Sequence, residues 1–232
     1  MSRPLDQFDT AITGVVVTVD ERAVRVCSER PLRVLSSALT GGGLGHTHDI
    51  VNMHVDDVAP DSSPQAELAA CAAALGVGDG FVGLMTAAAT QHARLTVAGD
   101  DDLTVASVVS VGLSNTTRAG LTPPAAPVPG TINAIVLVDG RLTDAALVNA
   151  VITATEAKTA VLAEWDVRTP GGELATGTST DAVVVACTGR GDPLPYAGPA
   201  TPVGHLVART VRDAIGHVCR DKVARDGGRV GW

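Results

Sequence analysis

INAIVLVDGRLTDAALVNAVITATEAKTAVLAE, residues 132–164, decides the fold. Ile132–Val138 is an apolar run of strand length, closed by the turn pair Asp139-Gly140. Thr143 then reads as an N-cap, with Asp144 in the first turn, of a helix predicted to reach about Glu164. At 100° per residue Leu147, Ala150, Val151, Ala154, Ala157, Val161 and Leu162 fall on one broad arc, which must pack on a core. Asn149, Thr153 and Glu156 form a stripe on the opposite side. Asn and Thr are poor helix formers, so this stripe reads either as a solvated face or as a recognition face. Lys158 lies in the middle of the apolar arc. A buried ammonium must either snorkel out or meet an acceptor, and Asp181, just before another apolar run, is the expected partner.

Similar units lie on both sides. Upstream, Val15–Val19 and Arg22–Val26 read as a hairpin around Asp20-Glu21, and Leu32–Leu39 leads into the glycine run Gly41–Gly45. Asp49–Val55 is a further strand. Asp61-Ser62-Ser63-Pro64 starts a small-residue helix over Gln65–Leu75 that stops at Gly76. Phe81–Ala89, Ala93–Ala98 and Val105–Gly112 are strands, the last two joined through the acidic turn Asp100-Asp101-Asp102. Downstream, Val183–Cys187 is a buried strand and Val203–Val218 a helix. Strands alternating with helices place the chain in the α/β or α+β class, with a mixed sheet packed by small-residue helices. The proline-rich stretch Leu121–Pro129 is the best internal boundary. A single compact domain is expected, with two similar lobes over 12–118 and 130–220 as an allowed subdivision.

Composition narrows the function classes. Of 232 residues, 45% are hydrophobic and 18% charged, which excludes a disordered chain, while the 2% aromatic content demands a core of Val, Ala, Leu and Ile. A net charge of −8 and the lack of stacking aromatics argue against nucleic acid. The mean hydropathy is +0.25, and residues 119–138 carry no charge, but Pro123, Pro124, Pro127 and Pro129 break that run as a membrane helix. No basic, apolar and small-residue series marks the first residues as an export signal. Cys27, Cys71, Cys187 and Cys219 show no short pairing interval and read as apolar thiols. A cytoplasmic protein with no membrane partner is expected.

Three segments offer chemistry. Thr176-Gly177-Thr178-Ser179-Thr180-Asp181 joins hydroxyls and a carboxylate ahead of a buried strand, either as a capped turn or as a grip for amides or a phosphate. Gly41–Gly45 lacks the lysine of a phosphate loop and the spacing of a dinucleotide fingerprint. His46-Thr47-His48-Asp49 with His54 invites a metal, since His46 and His48 share a side of an extended segment, but no complete ligand set follows; no metal is expected. There is no Gly-x-Ser-x-Gly elbow.

Several blocks resemble the adenosylcobinamide amidohydrolases of corrinoid salvage. These are Gly130-Thr131-Ile132-Asn133, the run from Leu147 to Thr159 with its Thr-Ala-Thr-Glu-Ala-Lys core, and Thr176-Gly177-Thr178-Ser179-Thr180-Asp181-Ala182-Val183. Leu35-Ser36-Ser37-Ala38, Gly42-Gly43, Val51-Asn52, Gly83–Ala88, Val111–Asn115 and Tyr196-Ala197-Gly198 extend the likeness over residues 12 to 215 in consistent order. The histidine segment departs from the pattern. The resemblance implies hydrolysis of the amide between a corrin propionate and aminopropanol, giving adenosylcobyric acid and 1-amino-2-propanol. A corrinoid is then the small-molecule partner, its cobalt belongs to the substrate, and no cofactor is required; homo-oligomerisation is left open. Glu156 is expected to activate water, Lys158 to stabilise charge and Asp181 to orient or share the proton. A Thr178 or Ser37 nucleophile is the rival route. Ser37, Gly42, Asn52, Thr86, Asn115 and Asn133 are expected to contact the corrinoid from the first half and its boundary. Asn149, Thr153, Thr155, Thr178 and Thr180 do so from the second. A non-catalytic corrinoid carrier and an amidase for another small amide are the alternatives.

Overall fold

The computed structural model describes residues 6–56, 63–100, 102–125 and 130–225. Asp61-Ser62 of the expected helix start, Asp101 of the acidic turn, and Pro127 and Pro129 lie outside the described residues. In chain order the elements are β1 (Asp6–Asp9), β2 (Val15–Val19), β3 (Ala23–Ser36), β4 (Gly43–His54), α1 (Pro64–Ala74), β5 (Val82–Thr86), β6 (Arg94–Asp100), β7 (Leu103–Val111) and β8 (Thr116–Thr117). They continue as β9 (Ile132–Asp139), β10 (Arg141–Leu142), α2 (Asp144–Glu164), β11 (Gly177–Thr178), β12 (Ala182–Cys187), β13 (Pro193–Leu194) and α3 (Pro202–Arg225).

One mixed sheet of nine strands organises the chain, in the order β1-β2-β3-β12-β9-β7-β6, with β4 on β3 and β5 on β4. β12 runs parallel to β9 and β4 parallel to β5; the other pairs in this sheet are antiparallel. The mixed α/β class expected from the alternation of elements is therefore the one observed. The stretches before and after the proline-rich segment do not build separate lobes. β12 enters between β3 and β9, and β9 between β12 and β7, so both halves contribute to one ladder.

The sheet curls. Asn52 on β4 and Ser110 on β7 are separated by three strands in the ladder, yet Asn52 Nδ2 lies 2.9 Å from Ser110 Oγ. The concave side encloses Val17, Val26, Val34, Ile50, Leu84, Val108, Ile135, Leu137 and Val184. The convex side is covered by α2 and α3 over Val105, Val109, Val136, Val138 and Val185. α1 covers Val51, Met53 and Phe81 near the far edge. Burying each Val, Leu or Ile stabilises by about 1.5–3 kcal/mol, so many small contributions replace the missing rings.

α2 and α3 begin on side-chain caps: Thr143 Oγ1 accepts from Ala146 N at 3.2 Å and Thr201 Oγ1 from Gly204 N at 3.1 Å. The expected arc of α2 is buried, with Val151 at its half-buried edge. The opposite stripe is corrected. Thr153 is buried, because the segment between β13 and α3 crosses it, and its hydroxyl donates to Ala197 O at 2.8 Å. Val148 and Ile152, which an amphipathic helix would bury, are half exposed. By length and composition α2 is apolar enough to cross a membrane, but half of that window is buried inside the fold. β4 begins at Gly43, inside the expected glycine loop, because the long β3–β4 hairpin continues to pair up to Ser36↔Gly43 beyond a bulge between Cys27 and Leu32.

α3 packs tightly at Gly204, where a Cβ would collide with the carbonyl of Gly198; at Gly216 in the same helix the nearest neighbour of a Cβ would be 3.8 Å away. Gly204→Ala is expected to destabilise by about 1–3 kcal/mol, as an overpacked site does. Gly216→Ala should be neutral or stabilise by up to about 1 kcal/mol through helix propensity. Thermal melts of the two variants check this, and equal behaviour would refute the close packing of α3.

Candidate active site

Four strands that line the concave core switch from apolar to polar. Ile50, Leu84 and Val108 are followed two residues later by Asn52, Thr86 and Ser110, and Ile135 is preceded by Asn133. The period of two keeps these polar groups on the concave side. They are 1–2% exposed, so they must satisfy one another. Asn52 Nδ2 donates to Ser110 Oγ, and Asn133 Nδ2 donates to Asn52 Oδ1 and to Met85 O, both at 2.8 Å. Thr131 Oγ1 lies 3.1 Å from Asn133 Oδ1 and 2.8 Å from Thr180 O, which joins the interior network to the loop before β12.

That loop is held by Asp181. Its Oδ1 accepts from Ile132 N at 3.0 Å and from the Thr178 hydroxyl. Its Oδ2 accepts from Thr178 N at 3.1 Å and from Lys158 Nζ. Four donors converge on a carboxylate with about four lone-pair directions. Lys158 is 9% exposed, so the expected acceptor for this core ammonium is the one present. Gly177 has no space for a Cβ, because Asp181 Oδ2 and Lys158 Nζ occupy it. Thr159 Oγ1 donates to Thr176 O at 3.1 Å and Thr180 Oγ1 to Gly130 O at 2.6 Å, completing the attachment of the loop to α2 and to the start of β9.

Beside this loop opens a cavity of about 430 Å³. Ser114, Asn115 and Ser179 line it, with Asn115 Nδ2 donating to Ser179 Oγ at 2.8 Å; Leu121, Pro123 and Pro170 form apolar wall, and Glu173 stands at the side. Gly130, behind it, has no room for a side chain against Ser114 and Asn115.

The residues expected from sequence divide three ways. Lys158, Asp181, Thr178 and Thr180 come together at the loop, and Asn115 stands on the wall of the cavity beside it. Asn52, Thr86 and Asn133 are interior groups; their amides and hydroxyl are turned to the concave core and bonded there, and Thr153 is likewise covered by Ala197. The remainder stand apart. Thr155 is exposed but donates to Val151 O in its own helix, and Ser37 binds the backbone of Val183. Gly42 packs where a Cβ would meet Ala38 O at 2.6 Å, and Asn149 is half-buried. Glu156 is exposed, and the helical period turns it about 160° from Lys158, so the two do not act as one cluster.

His46 and His54 stand at opposite ends of β4, about 26 Å apart at strand rise. His48 and His54 each engage a carbonyl, of Ser28 and Ala88, at 3.0 Å. Among the described residues no three His, Cys, Asp or Glu groups are placed to hold a metal. Burial raises the Cys187 thiol and pushes Cys219 up to about 12, which leaves neither a ready thiolate. Ser114, Thr131, Ser179 and Glu173 were not singled out from sequence. The first three lie inside the quoted blocks, where no feature set them apart from their neighbours; Glu173, after Gly171-Gly172 in a turn, carried no signal.

The Lys158–Asp181 pair is open to a stability test. Lys158→Met and Asp181→Asn are each expected to lower unfolding free energy by about 3 kcal/mol, since each strands a largely buried partner. The double variant should lose less than the sum by about 1 kcal/mol or more in denaturant melts. Additive losses would reject the coupling.

A family model described as adenosylcobinamide amidohydrolase matches residues 9–226. An adenosylcobinamide amidohydrolase of Halobacterium salinarum is 38% identical over 172 residues, 69% of this chain and 68% of that protein. One of Methanosarcina mazei is 32% identical over 183 residues, 75% of this chain and 84% of that protein. The crystal structure of the PH0078 protein from Pyrococcus horikoshii OT3 aligns over 86% of this chain and 78% of that one, with a TM-score of 0.47 and 15% identity. The match to the family spans β2 through α3, the Lys158–Asp181 pair and the cavity, and the chain belongs to the adenosylcobinamide amidohydrolase family.

Proposed function

We propose that this protein hydrolyses the amide joining a corrin propionate to aminopropanol in adenosylcobinamide. The products are adenosylcobyric acid and 1-amino-2-propanol, and the place of the reaction is corrinoid salvage. The observation that carries this reading is the cavity, neutral on its walls apart from Glu173, beside a hydroxyl, a carboxylate and an ammonium bonded in series, Thr178–Asp181–Lys158. Neutral donors and acceptors suit an uncharged amide, and about 430 Å³ accommodates the amide tail but not a corrin ring. The ring then rests outside the cavity.

On this reading Thr178 is the nucleophile. Its hydroxyl proton passes along the existing hydrogen bond to Asp181 Oδ1 as Oγ1 bonds to the amide carbon. The C–N bond breaks, the nitrogen takes that proton, and an ester remains on Thr178. Water attacks the ester, gives its proton to Asp181, and the proton returns to Thr178 Oγ1 as the carboxylic acid leaves. Lys158 holds the other carboxylate oxygen and fixes its direction. Asn115 and Ser179 offer an amide and a hydroxyl to the substrate. The chemistry needs no resident cofactor or metal, the cobalt being part of the substrate. The setting is the cytoplasm, in keeping with four free cysteines.

Purified protein incubated with adenosylcobinamide should release stoichiometric 1-amino-2-propanol, read by mass spectrometry; tight binding without release would favour a corrinoid carrier. Thr178→Ala should lower turnover by about 10³-fold or more with affinity kept within a few-fold, and Thr178→Ser should retain part of it. Glu156→Gln should cost less than about tenfold. A loss of about 10²-fold in Glu156→Gln with affinity intact would instead make Glu156 the base and water the nucleophile. Turnover should survive a strong chelator, and restoration by one divalent ion after loss would overturn the metal-free route.

A further inference from the structure

Glu173 is the one ionisable side chain on the wall of the cavity; every other described residue lining it is neutral. Its carboxylate is held in place from within a tight turn. The Thr169 hydroxyl donates to Glu173 Oε2, and Thr169 N donates to Glu173 O at 2.8 Å. Gly172, at φ +91°, closes the turn, and a Cβ on Gly171 would come within 2.6 Å of the carboxylate. The Thr169 hydroxyl and the residue's own main-chain N–H hold the Glu173 carboxyl below its ordinary range, outweighing desolvation, and the charge of Arg118 adds to this. Arg118 reaches the carbonyl of Leu174 at 3.4 Å and acts on Glu173 through space. The cavity wall therefore carries one held negative charge among neutral residues that include Asn115 and Ser179.

Hydrolysis of an amide consumes one water and yields a carboxylate and, near neutral pH, an ammonium: RCONHR′ + H2O → RCOO⁻ + R′NH3⁺. Only the amine half acquires a positive charge. We propose that Glu173 binds this amine half, accepting from the aminopropanol end of the substrate and then from the ammonium of the product. The assignment rests on the hydrolase reading for its substrate, though not for its chemistry, which is recognition of a small hydroxy-ammonium ion by a carboxylate. The corrin carboxylate formed at the same time is repelled by that charge, so the two products leave in different directions.

The test is calorimetric titration of 1-amino-2-propanol into the intact wild-type protein, Glu173→Gln and Thr169→Val, with uncharged 1,2-propanediol as the control ligand. Thermal melts verify that each variant is folded. Wild type should bind the amine and not the diol. Glu173→Gln should weaken amine binding by about tenfold or more, the loss of one charge-assisted hydrogen bond. Thr169→Val, which keeps the charge but frees it, should weaken binding by a smaller factor. Amine affinity equal in wild type and Glu173→Gln, or no amine binding by wild type, overturns the assignment whether or not adenosylcobinamide is hydrolysed. Glu173-dependent amine binding in a protein that does not turn over adenosylcobinamide sinks the hydrolase reading and leaves the amine site standing.

Discussion

The convergence of Lys158, Ile132 N and both donors of Thr178 on Asp181 joins three parts of the chain that no local preference would bring together. α2 supplies the ammonium, β9 its first main-chain N–H, and the turn before β12 the carboxylate. An ammonium in the apolar arc of a helix is costly unless it is met, and a carboxylate beside the core is costly for the same reason. Each is tolerable only with the other in place. The pair therefore selects one position of α2 along β12 and one conformation of the Thr178–Asp181 turn. The cavity beside that turn inherits its shape from this choice.

Behind the pair lies a second polar layer with a different task. Asn52, Ser110, Asn133 and Thr131 form a bonded series across the concave side of the sheet, tying β4 and β7 to the start of β9. A curled sheet built from Val, Ile and Ala can slide in register, because small apolar residues resemble one another. An amide bonded to a defined amide and a defined hydroxyl has one good arrangement, so a slip leaves polar groups unmatched. The interior network thus fixes the curl, and the curl aims the loops at the cavity. The groups that look most like amide readers in the sequence mostly hold the frame, while Asn115, Ser179 and Glu173 on turns line the open cavity.

The outer face of α2 remains unusual. Val148 and Ile152 are about half exposed there, and Glu156 stands free of the Lys158–Asp181 pair. A helix whose apolar arc is already satisfied by the sheet and α3 has no folding reason to add branched apolar residues outside.

The sequence by itself determined the class and the longer elements of the second half. The apolar run at Ile132–Val138, the cap at Thr143 and the arc through Leu162 appear in the structure as β9, the start of α2 and its buried side, since periodicity and capping act within a few residues. It also pointed to Asp181 as the partner of Lys158, because a buried ammonium admits few solutions. The strand order was not legible: β12 between β3 and β9 depends on pairing across long sequence separation, which residue type does not encode. Nor was the fate of Thr153, whose place on the helical wheel looks outward until the segment at Ala197 crosses it. Glu173 had no signature at all, for a carboxylate in a glycine turn is ordinary until folding sets it alone among neutral walls. Burial of a polar group, and the charge balance of a cavity, are properties of what other segments bring near, and only the tertiary structure decides them.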